Sequence, residues 1–430
     1  MTDMTTARLD AQTYKTYVAI LKKELIPALG CTEPIAVAYA AAYATAVLKS
    51  RPERAEAWCS GNIVKNVKGV VVPNTGGLKG IDAAAIAGIV GGDAKAGMQV
   101  LEAVKPVQRL EIRQLLEAGY CRTHLLPGDE TLHIIVKVFA GDASAEVSIK
   151  GSHTNICRVV RDGEVLVDRK APVGEAAEDA ASALNVRDII AFADTVDIED
   201  IAPIIADQIE KNTRISEEGL SGHYGVSVGR TLLKYAGSDI RTRAKARAAA
   251  GSDARMSGCA LPVIINSGSG NQGMTASLPV IAYAEELAVG RDGLYRALVL
   301  SNLIAIHQKT LIGKLSAFCG AVSAACGAGA AITYMQGGDF AAISRTITNA
   351  IGNVGGIVCD GAKPSCAAKI ASAVDAAIMA HHLAVEGQAF SDGEGLVTAD
   401  VEGTIANIGQ VASVGMKGTD LEILKLMIGA

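Results

Sequence analysis

Nine of the 430 residues are cysteines, and four crowd into the last third of the chain. Cys319 and Cys326 lie in S-A-F-C-G-A-V-S-A-A-C-G-A-G-A. Cys359 and Cys366 lie in G-G-I-V-C-D-G-A-K-P-S-C-A-A-K. Small residues surround all four, so backbone can approach a bulky inorganic group closely. Neither pair forms the C-x-x-C of a zinc ribbon or a ferredoxin. Spacing alone leaves two readings open: thiolates cradling an iron–sulfur cluster, or small buried apolar side chains, which free cysteine often is. A further thiol, Cys31, sits in G-C-T-E-P. Pro34 suits a first helical position, which puts Cys31, Thr32 and Glu33 at or just before a helix N-terminus. A thiol there is expected to have a lowered pKa.

Polar residues that could bind a small ligand lie elsewhere. S-G-S-G-N-Q-G exposes backbone amides through its glycines, and Ser267, Ser269, Asn271 and Gln272 add side-chain donors. That chemistry suits a carboxylate. The loop is not a G-x-G-x-x-G following a strand, so a nucleotide site is rejected; an ordinary interhelix loop is the plain alternative. Asn74 and Thr75 in N-T-G-G, Asn62 in S-G-N-I-V-K-N and His153 in G-S-H-T-N are further candidates, against plain turns and a solvated loop histidine. His307 is read as near the cluster or as a cap for polar core atoms, and His381–His382 as a surface pair. Lys363 and Lys369 flank Cys366 and are solvated by default, with cluster neutralisation as the alternative. Cys59, Cys121, Cys157 and Cys259 are read as packing.

The elements that must position these groups fall into two textures. Residues 1–50 and about 196–430 show apolar spacing of helical period, broken by Gly, Pro and Asn clusters. Residues 51–195 read as strands and small-residue helices: strands at Ala55–Ser60, Gly69–Val72, Leu132–Ala140, Ala145–Lys150, Cys157–Arg161 and Val165–Asp168, with D-G at Asp162–Gly163 as a hairpin signal. The expected fold is α+β: a large all-α domain built from 1–50 and 196–430, with an inserted α+β domain, 51–195, carrying an antiparallel sheet.

Half the residues are apolar, a fifth are charged and the net charge is −5, which argues against a nucleic-acid partner. The start of the chain shows no basic stretch followed by an apolar run, against a secretory leader. With no small disulfide scaffold, the expected location is a reducing cytoplasm. Ser316–Met335 carries no charge over 20 residues, but it is mostly Ala, Gly, Ser and Cys, so a buried helix is expected and no membrane partner.

G-C-T-E-P, S-G-S-G-N-Q-G and V-G-G-I-V-C-D-G-A-K-P-S-C-A-A-K, in that order, resemble the L-cysteine desulfidase family, which is related to the iron–sulfur L-serine dehydratases. The resemblance covers nearly the whole chain. It implies a [4Fe–4S] cluster held by three cysteines, with one iron open to substrate. Cys359 and Cys366 match two dehydratase ligands and Cys319 the third; Cys326 is read as core packing. The two cysteines of the last motif stand closer together than in the dehydratases. Cys31 matches a cysteine implicated in desulfidase activity, so Cys31/Cys319/Cys359 stays open as a second ligand set. With the first set, Cys31 is free to take an α-proton, and Glu33 is a second catalytic candidate or an ammonium partner. The implied reaction is α,β-elimination on L-cysteine, giving sulfide, pyruvate and ammonia. L-Serine dehydration at the same site is the nearest rival, and a non-catalytic iron–sulfur redox sensor is the rival of another class. The expected partner is a small amino acid; a homodimer is compatible with the sequence. No pyridoxal-phosphate signature is visible.

Overall fold

A computed structural model describes residues 9–169, 183–313 and 315–429. The first eight residues, part of the stretch read for a leader, lie outside them. The chain is a mixed α+β structure. Its smallest sheet pairs β1 (Pro27–Leu29) antiparallel with β8 (Pro262–Ile264), tying the start of the chain to its middle.

The larger sheet holds β2 (Arg54–Cys59), β3 (Cys121–Leu125), β4 (His133–Ala140), β5 (Ala143–Lys150), β6 (Ile156–Arg161) and β7 (Glu164–Asp168), in the order β3-β2-β4-β5-β6-β7. The hairpin at Asp162–Gly163 is present, with φ of 51° and 84°, the positive pair that a tight two-residue turn requires. Ile134, Val136 and Val138 of β4 and Val147 and Ile149 of β5 alternate inward, which gives the sheet one apolar face.

Two expectations need correction. The sheet is mixed, because β3 runs parallel to β2 on the edge. Only the first residue of β3 is buried, so Cys121–Leu125 shows no inward alternation to read. Gly69–Val72 is not a strand; Val71 makes only an isolated bridge to Lys79. The residues just before it, Gly61–Val67, are a helix that puts Ile63 and Val67 in the core.

The helix Thr32–Leu48 packs on β4, β5 and the helix Ile81–Gly91. Its alanines let the neighbour come close: a Cβ on Gly88 would stand 2.2 Å from the Ala38 carbonyl oxygen. In the C-terminal half, Gly320–Met335 is the central helix. It packs against Arg291–Ile312, Cys366–Val385, Gly270–Glu286 and Phe340–Val354, and every residue from Ala321 to Thr333 is buried. The uncharged stretch is therefore core. No helix among the described residues is long and apolar enough to cross a membrane.

Candidate active site

Several helices start at one place. Cys31, Ser269 and Cys319 stand immediately before Thr32–Leu48, Gly270–Glu286 and Gly320–Met335, with no side-chain bond to the helix amides, and Cys366 is the first residue of Cys366–Val385. All four residues line one cavity, whose empty space including its open mouth is about 750 Å³. Helix N-termini present unpaired amides and partial positive charge, so the cavity favours anions.

Local backbone brings the C-terminal thiols together. Phe318 and Val358 form an antiparallel bridge, with Cys319 N–H donating to Ile357 O at 2.9 Å and Cys359 N–H to Ala317 O at 2.6 Å. Residues two apart share a face, so Cys319 and Cys359 are diagonal neighbours on one side of this bridge. Six residues separate Cys359 from Cys366, which a turn returns to the same cavity; there Cys366 Sγ contacts Gly361 O at 3.7 Å. Burial pushes the Cys319 thiol up to about 12, with Cys359 adding to it, and burial also raises Cys366.

Cys31 and Glu33 form a second group. Cys31 Sγ donates to Glu33 Oε2 at 2.9 Å, and Thr32 Oγ1 reaches the same oxygen at 3.1 Å. Asn66 Nδ2 donates to Oε1 at 3.0 Å, while His153 Nε2 stands 3.8 Å from it. Burial alone would raise the Glu33 carboxyl; His153, the Cys31 thiol and a backbone amide outweigh it and hold the group well below the usual carboxylate range. Burial and the Glu33 charge raise Cys31 well above the usual thiol range, more than Arg255 lowers it. The lowered pKa expected of this thiol is thus not what its surroundings give: an adjacent buried carboxylate outweighs the helix terminus.

Ser267–Ser269 and the first turn of the helix Gly270–Glu286, expected as one loop, form another wall. Ser267, Ser269, Asn271 and Gln272 all line the cavity, as does His153. Ser267 sits at φ 49°, left-handed for a residue with a Cβ, a conformation that costs energy and is often found at binding sites. Asn62, Asn74 and Thr75 do not line the cavity. Asn74 Nδ2 donates to Leu101 O, tying its turn to a distant segment, and Thr75 Oγ1 donates to Val72 O within the turn itself. Asn62 lies one helical turn before the residue that does enter, Asn66.

Two cavity residues escaped the sequence reading. Arg255 is 2% exposed; its Nη1 donates to Asn271 Oδ1 at 3.1 Å, while Nε and Nη2 are buried without a partner among the described residues. Lys309 is buried, and burial draws its ammonium down to about 8 against the pull of Cys359 and Cys319. Lys309 is the first charge after Arg296 and follows Ile-Ala-Ile-His-Gln, a signal that was readable. Arg255 shares its helix with Arg241, Arg243, Lys245, Arg247 and Asp253, so nothing in the sequence set it apart.

The remaining candidates have other occupations. Cys326 is buried in its helix, with Sγ 3.9 Å from Ile347 O. His307 pairs with Glu402 at 2.7 Å. Lys363 and Lys369 both hold Asp360. His381, expected at the surface, is buried between Thr333 and Gln336, because a helix packs over the face it was assigned to solvent.

Among the described residues no three Cys, His, Asp or Glu stand close enough to share one metal ion. Sulfurs that ligate a cluster stand further apart than those sharing one ion. The residues fit such a group: Cys319, Cys359 and Cys366 line a common wall with Gly320, Ala321, Gly361 and Ala362, and Lys309 faces two of the thiols.

A polar, thiol-bearing cavity beneath helix N-termini on an α+β frame is an enzyme-like arrangement. The chain belongs to the serine dehydratase alpha chain family, whose description matches residues 95–425; these are lyase-type enzymes. It is 52% identical to a UPF0597 protein of Lachnoclostridium phytofermentans over 96% of this chain and 100% of that one. It is 51% identical to one from Desulfitobacterium hafniense, over 96% and 97%, and 45% identical to one from Treponema denticola, over 98% and 99%. The family match begins after Cys31 and Glu33, whereas these relatives span nearly the whole chain.

Proposed function

We propose that this protein catalyses α,β-elimination on a β-substituted L-amino acid, with L-cysteine as substrate and sulfide, pyruvate and ammonia as products. The observation that carries the reading is the convergence of Cys319, Cys359 and Cys366 with the Cys31–Glu33 pair on one cavity. Cys319, Cys359 and Cys366 would hold a [4Fe–4S] cluster. When bound, such a cluster supplies Lewis acidity at an iron lacking a protein ligand, which a departing thiolate or hydroxyl requires.

The chain's own residues handle the rest. The Cys31–Glu33 pair carries one proton, on sulfur, and one negative charge, on the carboxylate, so as a unit it has room for one more proton. The α-proton is taken at Cys31 Sγ as the thiol's proton passes to Glu33 Oε2 along their 2.9 Å contact. Asn66 and His153 orient the carboxylate that receives it. Ser267, Ser269, Asn271 and Gln272 bind the polar end of the substrate. Loss of the β-thiolate leaves 2-aminoacrylate, which tautomerises and hydrolyses to pyruvate and ammonia.

L-Serine is the second reading, favoured by the family match; it needs the same residues with hydroxide as leaving group. Anaerobic reconstitution with iron and sulfide, followed by side-by-side turnover of L-cysteine and L-serine, tests both. A colourless protein binding no iron, or one that eliminates from neither amino acid, refutes the reading.

A further inference from the structure

Arg255 is the cavity's least satisfied side chain. Burying a guanidinium whose donors lack partners is destabilising, so a fold that keeps one buried has a use for it. The two unpartnered groups, Nε and Nη2, form one edge of the guanidinium. The same edge of Arg241 holds Asp375 with two parallel bonds, both 2.8 Å. Asn271 fixes the Arg255 plane from Nη1. Gly270 lets the side chain pass: a Cβ there would stand 2.4 Å from Arg255 Nε. On the acceptor side, Gln272 Oε1 is likewise buried without a partner among the described residues. Unpaired donors at Arg255 and an unpaired acceptor at Gln272 complement the two ends of a zwitterion.

We propose that Arg255 is the carboxylate anchor of this site, receiving the α-carboxylate of an amino acid on its Nε–Nη2 edge, with Gln272 Oε1 accepting from the ammonium. This rests on the amino-acid reading above. It makes Arg255 a substrate-binding residue that sets specificity for amino acids over amines. Asn271 then acts through Arg255 as a positioning residue.

The test uses L-alanine, which carries both charged ends but no leaving group, and ethylamine, which lacks the carboxylate. Calorimetric titration of wild-type protein is expected to detect L-alanine and to rank ethylamine weaker by about a hundredfold, as loss of a buried charge pair predicts. R255Q is expected to bind the two equally weakly, and R255K to recover part of the preference, since lysine keeps the charge but not the fork. Iron content of reconstituted R255Q is expected to match wild type, with KM for L-cysteine raised far more than kcat is lowered. Unchanged L-alanine binding by R255Q overturns the proposal, as does loss of iron in R255Q, which would make Arg255 a counter-charge for the cluster. L-Alanine bound through Arg255 by a protein that eliminates from no amino acid would leave the anchor standing and refute the proposed reaction.

Discussion

Replacing Glu33 by glutamine changes one atom and removes one charge at the centre of the site. The carboxylate accepts from Cys31 and Thr32 on Oε2 and from Asn66 on Oε1. A glutamine must turn its NH2 toward one of those sets, so a donor faces either the Asn66 amide or the thiol and hydroxyl. Leaving buried donors unmatched costs about 1–3 kcal/mol, so E33Q is expected to unfold at lower urea with an unchanged slope. The acid dependence follows from the depressed carboxyl, whose ordinary value is 4.5. On acidification the unfolded chain takes up this proton first. The stability contributed by Glu33 is therefore complete above the ordinary carboxylate range and is lost as pH falls below it. E33Q has no such proton to bind, so its stability falls less steeply on the acid side. Elimination should fall at least about a hundredfold, the usual worth of a positioned proton acceptor. Urea titrations between pH 7 and 3 with parallel turnover check all three. An E33Q protein as stable as wild type, with the same acid limb and rate, refutes the assignment of Glu33 as an ionised hub.

Other outcomes follow from the same geometry. Serine substitution at Cys319, Cys359 or Cys366 is expected to lower bound iron and sulfide after reconstitution, whereas C326S leaves them near wild type and C31S keeps iron but loses turnover; iron analysis with visible absorption separates these. Gly88→Ala places a methyl 2.2 Å from the Ala38 carbonyl oxygen, so the two helices must part and thermal unfolding should show a loss of about 1–3 kcal/mol. Burial and His382 hold His381 down to about 4 from 6.5, so the unfolded state binds its proton first. Stability should then fall by about 2 kcal/mol, after allowance for screening, as pH drops from 6.5 to 4; H381N should lack that component of the slope.

What could be read from sequence depended on whether a residue's job is local. Pro34 behind Cys31, glycines around Ser267 and small residues around Cys319, Cys359 and Cys366 each report their own backbone, and all five residues line the cavity. Helical period likewise reported the C-terminal half, and alternation reported β4 and β5. The rest required partners distant in the chain. Parallel pairing of β3 with β2 is set across 61 intervening residues, from 60 to 120, that contain helices, and a strand with one buried residue carries no period of its own. Asn74 and Thr75 looked available because turn polarity is the same whether a ligand or the protein's own backbone consumes it. The Cys31 thiol departs from expectation for the same reason in electrostatic form. A helix terminus is visible in G-C-T-E-P, but whether Glu33 points back at the sulfur is decided by Asn66 and His153. Once those two residues hold the carboxylate beside Sγ, its charge disfavours the thiolate and the proton stays on sulfur. Sequence could name the atoms of that pair, but only the fold could say that one donates to the other.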